Sequence, residues 1–238
     1  WGDGSPVKTI NNSWNYGKKN HKYALGLYYL TISFETNFGC NASTSYNVFV
    51  GNQPASPQIQ LPQNAQGCSP IELTFPISGY SNNIPGTTYI ITFSDDNIEL
   101  TYDQNTIPSS ISHVFNNTSC GNEFTNGSVI ENNAFGVSIR AINPCGSSSS
   151  SAGPVRTSSP PSVDFSLPPL ICVNNLAEAI NISDHGTIVT SNSCENTSAF
   201  YWEISPSNGW ILESGSYLGD NGGFPFDYNG WNSGTDVI

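Results

Sequence analysis

The chain has 238 residues, with 18 acidic against 6 basic side chains, a formal net charge of -12, and charged residues making up only 10%. That balance repels polyanions, which excludes nucleic acid as a partner, and no apolar run approaches the ~20 residues of a membrane-spanning helix. Ser, Thr, Asn and Gly stand where charge is missing, a composition that favours strands and turns over helices. At the N-terminus, Trp1-Gly2-Asp3-Gly4 reads as a tight turn, because glycine takes positive φ without a steric penalty. His21-x-Tyr23 comes next. Tyr28, Leu30, Ile32 and Phe34 then alternate with Tyr29, Thr31, Ser33 and Glu35, the period of a half-buried strand. Asn37-Phe38-Gly39-Cys40 turns the chain, and Tyr46, Val48 and Val50 make a second strand. Residues 1–51 are expected to be the C-terminal part of a domain, and Asn52 to Pro57 a Pro-containing linker. The absence of Met predicts that the chain is a piece of a longer protein.

Residues 52–160 read as a complete domain. Ile71, Leu73 and Phe75 alternate in one strand, and Tyr89, Ile91 and Phe93 in the next. Phe93-Ser94-Asp95-Asp96 stands where Trp1-Gly2-Asp3-Gly4 stood, and His113-x-Phe115 matches His21-x-Tyr23. Phe135, Val137, Ile139 and Ala141 form a long strand that ends at Asn143-Pro144-Cys145-Gly146. The same order twice is an internal repeat. Ser94 and Asp96 replace the two glycines, which predicts a different turn type, and Asn116 to Asn132 is an extra segment. The serines from Ser147 to Ser151 read as a low-complexity turn. Residues 161–238 read as the N-terminal part of a third domain, opening with Val163, Phe165 and Leu167 in alternation. Leu176 to Ile180 is helix-like but too short to count as a helix.

The ordered run of Trp-Gly-Asp-Gly, His-x-Tyr and an alternating strand closed by Gly-Cys resembles the second half of a PKD domain, an immunoglobulin-like β-sandwich of cell-surface proteins. With Tyr201-Trp202-Glu203-Ile204-Ser205-Pro206, Gly209-Trp210 and Ala141-Ile142-Asn143-Pro144-Cys145-Gly146, the chain is similar to the PKD and PKD-like repeats of very large surface proteins of Bacteroidota, including gliding-motility adhesins. The resemblance implies an all-β fold of tandem immunoglobulin-like sandwiches in an extended array. It implies an extracellular, cell-surface repeat segment, exported by the type IX system and mediating attachment during gliding. The implied partners are neighbouring repeats of the same chain, a substratum or polysaccharide, and the outer-membrane export and motility machinery through other regions of the parent protein. Two alternatives stand beside it: a spacer or glycan-binding module of a secreted hydrolase, and a structural subunit of a surface filament.

Candidate chemistry is sparse. His21 and His113 recur at one motif position, which favours structural histidines bonded to the Asp-containing turn over catalytic ones. Asp95, Asp96 and Asp220 are candidate acids, but no GxSxG, HExxH or GxxxxGK[ST] motif accompanies them. The expectation is therefore a non-catalytic protein without an organic cofactor. Asp95, Asp96 and Asn97 are candidate calcium ligands, short of the six to eight oxygens calcium takes. Trp14, Trp210 and Trp231, with Tyr16, Phe224, Phe226 and Tyr228, lie in Gly/Asn-rich stretches and are candidates for stacking on sugars or for capping the ends of sandwiches. Six cysteines without a CxxC pair point to disulfides, which persist outside the cytosol. On an immunoglobulin-like strand order, Cys68–Cys120 is favoured, with Cys120–Cys145 as the alternative. Cys172–Cys194 is the expected second bridge, leaving Cys40 and Cys145 unpaired within the chain.

Overall fold

The alternating runs become strands in a computed structural model of the chain. It describes residues 1–9, 20–167, 169–170, 172 and 178–196, with the strand residues 201–202, 216–217, 226–227 and 235–237. β1 (Gly26–Glu35) and β2 (Asn41–Val50) form an antiparallel hairpin, with Gly26 opposite Val50 and Glu35 opposite Asn41. Thr36 N–H donates to the Cys40 carbonyl at 2.8 Å and closes its turn. Tyr29, Ile32, Phe34 and Tyr46 on this hairpin are exposed.

The central sandwich comes after it, with β3 (Gln58–Ile59), β4 (Gln66–Cys68), β5 (Ile71–Ser78), β6 (Thr88–Phe93), β7 (Glu99–Asp103), β8 (Ser110–Phe115), β9 (Glu123–Asn126), β10 (Val129–Asn132), β11 (Phe135–Asn143) and β12 (Gly146–Ser158). One sheet has the order β4-β12-β11-β6-β7 and the facing one β3-β5-β8. All these pairs are antiparallel except β4 with β12. Every second side chain points inward, as the period of a strand requires. Leu73, Phe75 and Ile77 of β5 meet Tyr89, Ile91 and Phe93 of β6 and Val137, Ile139 and Ala141 of β11 in one core, with Phe115 and Val155. Each such aliphatic or Phe side chain contributes about 1.5–3 kcal/mol by leaving water. The all-β sandwich expected from the alternation is the fold.

Asn52 to Pro57 is tied down rather than free. The Asn143 amide donates to the Asn52 carbonyl at 3.0 Å, Gln53 Nε2 to the Ser147 carbonyl at 2.8 Å, and the Ser56 hydroxyl to the Ser149 carbonyl at 3.0 Å. The partners of Gln53 and Ser56 are serines of the run read as a turn, which instead lie in strand β12. Without bulky side chains they let the incoming segment lie against that strand. At the same place Gly51 and Gly86 leave room for Phe49, Leu27 and Ile84, since a Cβ on Gly51 would stand 2.4 Å from Ile84 Cδ1.

The extra segment forms the β9–β10 hairpin, Val129 opposite Asn126. Its buried Phe124 lies against Gly136 and Gly153, where added Cβ atoms would come within 2.2 and 2.7 Å of the ring. Further on lie β13 (Phe165–Ser166), β14 (Glu178–Asn181), β15 (Ile188–Val189), β16 (Cys194–Glu195), β17 (Tyr201–Trp202), β18 (Ser216–Tyr217), β19 (Phe226–Asp227) and β20 (Thr235–Val237). They make small sheets of order β13-β14-β20, β15-β16 and β17-β19-β18. The helix-like patch therefore ends in strand β14. No helix of the described residues is long and apolar enough to cross a membrane.

The disulfide among the described residues is Cys120–Cys194, with Cα atoms 5.9 Å apart; Cys40, Cys68, Cys145 and Cys172 are exposed thiols. This corrects both expected bridges, Cys68–Cys120 and Cys172–Cys194. Cys68 and Cys120 do share one end of the sandwich, but they flank opposite edges of β12. Arg156 and Ser158 bond the β4 side through Ala65 and Ser69, whereas the intervening Thr157 bonds Ser119. Two strand spacings, about 9–10 Å, then separate the cysteines, beyond the ~7 Å limit of a bridge.

Candidate functional site

The recurring turn and histidine come together twice with the same geometry. Asp3 and His21 lie 18 residues apart, and Oδ2 meets Nε2 at 2.6 Å. Asp95 and His113 are also 18 apart, with Oδ1 at 2.9 Å and Oδ2 at 3.0 Å from Nε2. An ionised carboxylate only accepts, so Nε2 carries the proton. Each imidazole is held between two rings. Trp1 stacks on His21 at 4.5 Å and Phe93 on His113 at 3.9 Å, while Tyr23 and Phe115 meet the imidazoles edge-on at 4.6 and 4.8 Å. In the second copy, period two along β8 puts His113 and Phe115 on one face, against the turn that ends β6 in the facing sheet; in the first copy His21 and Tyr23 take the same spacing just before β1.

The copies differ where their sequences differ. The Tyr23 hydroxyl donates to the Trp1 carbonyl at 3.1 Å; Phe115 has no hydroxyl and is fully buried. Gly2 and Gly4 take φ of 85° and 81°, and a Cβ on Gly2 would strike the Tyr29 carbonyl oxygen at 2.4 Å. In the second copy the left-handed residue is Asn97, φ 57°, and Ser94 exchanges hydrogen bonds with Gly136. The turn type has changed, as the missing glycines predict. The hydrogen bond from His21, with help from Ser5, holds the Asp3 carboxyl well below the usual carboxylate range. Burial pushes the Tyr23 phenol up, and the nearby Asp3 charge adds to it.

Asp96 adds a third group to the second copy. Its Oδ2 lies 3.8 Å from His113 Nε2, and one ligand atom each from Asp95, Asp96 and His113 fits within 4.8 Å, close enough to hold a metal ion. Two carboxylates and an imidazole suit a transition metal better than calcium, which takes six to eight oxygens. The Asp3–His21 contact forms with Gly4 at the corresponding position, so the pairing itself needs no third ligand.

Trp14, Trp210 and Trp231 lie outside the described residues, as do Tyr16, Phe224, Tyr228 and Asp220. A site the sequence did not suggest is a polar cleft of about 380 Å³ beside the disulfide, lined by Asn122, Glu123, Asn132 and Asn133 of the inserted hairpin and by Ser191 and Asn192. No aromatic ring of the described residues lines it. Compared with protein-family models and with curated proteins, the chain matches none.

Proposed function

We propose that the chain is a non-catalytic repeat segment of a giant cell-surface adhesin that attaches cells to a surface during gliding. The observation that carries this reading is the second copy of the Asp–His–aromatic cluster at the same 18-residue separation. A catalytic group has no reason to recur with unlike neighbours, whereas a structural lock recurs wherever its domain does. Repeated sandwiches in tandem, each bound to its neighbours, serve to hold something away from a surface. The disulfide fits an oxidising compartment, and extracellular display satisfies that. In this reading the Asp95-Asp96 turn is structural and needs no calcium. The substratum or a polysaccharide is the external partner, and neighbouring repeats are the internal ones.

Antibodies raised against residues 52–160 test it on intact cells of the source organism. Surface labelling that moves along the cell, with loss of attachment to glass, is the expected result. Labelling only after permeabilisation would sink the proposal. The polar cleft favours a second reading, a glycan-binding module of a secreted hydrolase; finding a catalytic domain in the parent protein decides for it.

A further inference from the structure

Cys120 and Cys194 are 74 residues apart in sequence, and their bond spans the boundary between the central sandwich and the small sheets beyond Ser158. Inside the closed loop lie the β9–β10 hairpin, β11 and β12, which are two of the three interior strands of the five-stranded sheet, and β13 to β15. Hydrogen bonds also hold the segment that leaves β12, within itself and, in two cases, back to the sandwich. Ser159 and Thr187 exchange two, at 3.0 and 3.1 Å, and Ser162 and Asp184 two more, both at 2.9 Å. Val189 N–H donates to the Ser158 hydroxyl and the Asn133 amide to the Thr190 carbonyl. Each is worth only about 1 kcal/mol net, and they succeed one another along the chain from Ser158, so a pull on that segment meets them in turn.

We propose that Cys120–Cys194 is the link that carries tension across this boundary. Force applied along the chain passes from Cys120 straight to Cys194, and residues 121–193 carry none of it. The β11–β12 hairpin, whose Val137, Ile139, Ala141 and Val155 supply the buried heart of the sheet, is then shielded from being peeled out. Reduction moves the path onto β12 and the hydrogen-bonded junction. The proposal concerns any use of the chain under tension and does not rest on the adhesin reading.

The experiment stretches the full chain, tethered at both termini, in a force spectrometer. The oxidised chain is expected to be shorter at full extension than the reduced one by about 250 Å, at roughly 3.3–3.6 Å per enclosed residue. A dithiol reductant, oxidised in turn to its cyclic disulfide, converts both sulfurs to thiols and restores the length. Two bridges Cys68–Cys120 and Cys172–Cys194 would together hide an equal length, so the measurement is repeated on the Cys68→Ser/Cys172→Ser variant. Full shortening in that variant supports the shunt; recovery of full length without reductant overturns it. Peptide mapping of the natural chain without reduction is the second measurement, independent of how the variant folds. A Cys120–Cys194 crosslink supports the proposal, and any other partner for Cys120 ends it.

Discussion

The imidazole of His113 lies flat on the ring of Phe93, 3.9 Å away and 8° from parallel. In that position its Nε2 reaches Asp95, whose side chain is only 3% exposed. The ring stack fixes the direction of the hydrogen bond, and the hydrogen bond keeps a carboxylate satisfied out of water.

Removing the imidazole leaves that carboxylate buried without its partner and removes an aromatic stack. His113→Ala is expected to cost about 2–4 kcal/mol. His21→Ala is expected to cost less, because Asp3 and His21 are 15% and 18% exposed and water can take over. Urea denaturation of both variants measures the difference. A loss below about 0.5 kcal/mol for His113→Ala would show that the cluster does not hold the turn.

The Asp3 carboxyl has its pKa lowered in the folded chain, first by His21 and then by Ser5. A depressed carboxylate contributes stability that is present above its unfolded pKa, near 4, and is lost as pH falls through the folded value. The Asp3–His21 contact should therefore persist through about pH 4 and fail only in stronger acid. Carboxyl-carbon NMR of Asp3 reads this directly; a midpoint at the ordinary value contradicts the pairing.

Phe124 anchors the inserted hairpin on two glycines. Phe124→Ala should cost about 3 kcal/mol, and Gly136→Ala should also destabilise, because the new Cβ meets the ring at 2.2 Å. The two effects share one contact, so the double variant is expected to fall short of their sum. Additive losses in thermal denaturation would mean that Phe124 packs elsewhere.

Reduction of the disulfide should act locally. The core holds no cysteine, so amides of Ile91, Val137 and Ile139 keep their protection from hydrogen exchange. Those of Ser159, Thr187 and Val189, which bond at the junction after β12, are expected to exchange faster. Equal protection before and after reduction would mean that the hydrogen bonds suffice alone.

Sequence periodicity located β5, β6 and β11 and most of their buried side chains, because one face of each is largely apolar; it stopped short of Ile77 at the far end of β5. The repeated spacing also paired each histidine with its turn. The disulfide escaped because strand order tells which end of a sandwich a cysteine occupies but not which edge. Only the alternation of Arg156, Thr157 and Ser158 between two neighbours separates Cys68 from Cys120. The serines of β12 escaped for a related reason. Their small polar side chains carry no hydrophobic alternation, and their strand forms because β11 pairs with them and the incoming Gln53 and Ser56 bond their carbonyls.

In the first copy of the motif, Ala24 and Leu25 alone carry the chain from Tyr23 into its next strand; in the second, a whole hairpin intervenes between Phe115 and Phe135. The lock is the same on both sides of that difference. The scaffold thus accepts new sequence at this crossing without disturbing the aromatic cluster. The tip at Gly127, with no atom within 4 Å of where its Cβ would stand, is a natural grafting point for a foreign epitope or recognition loop.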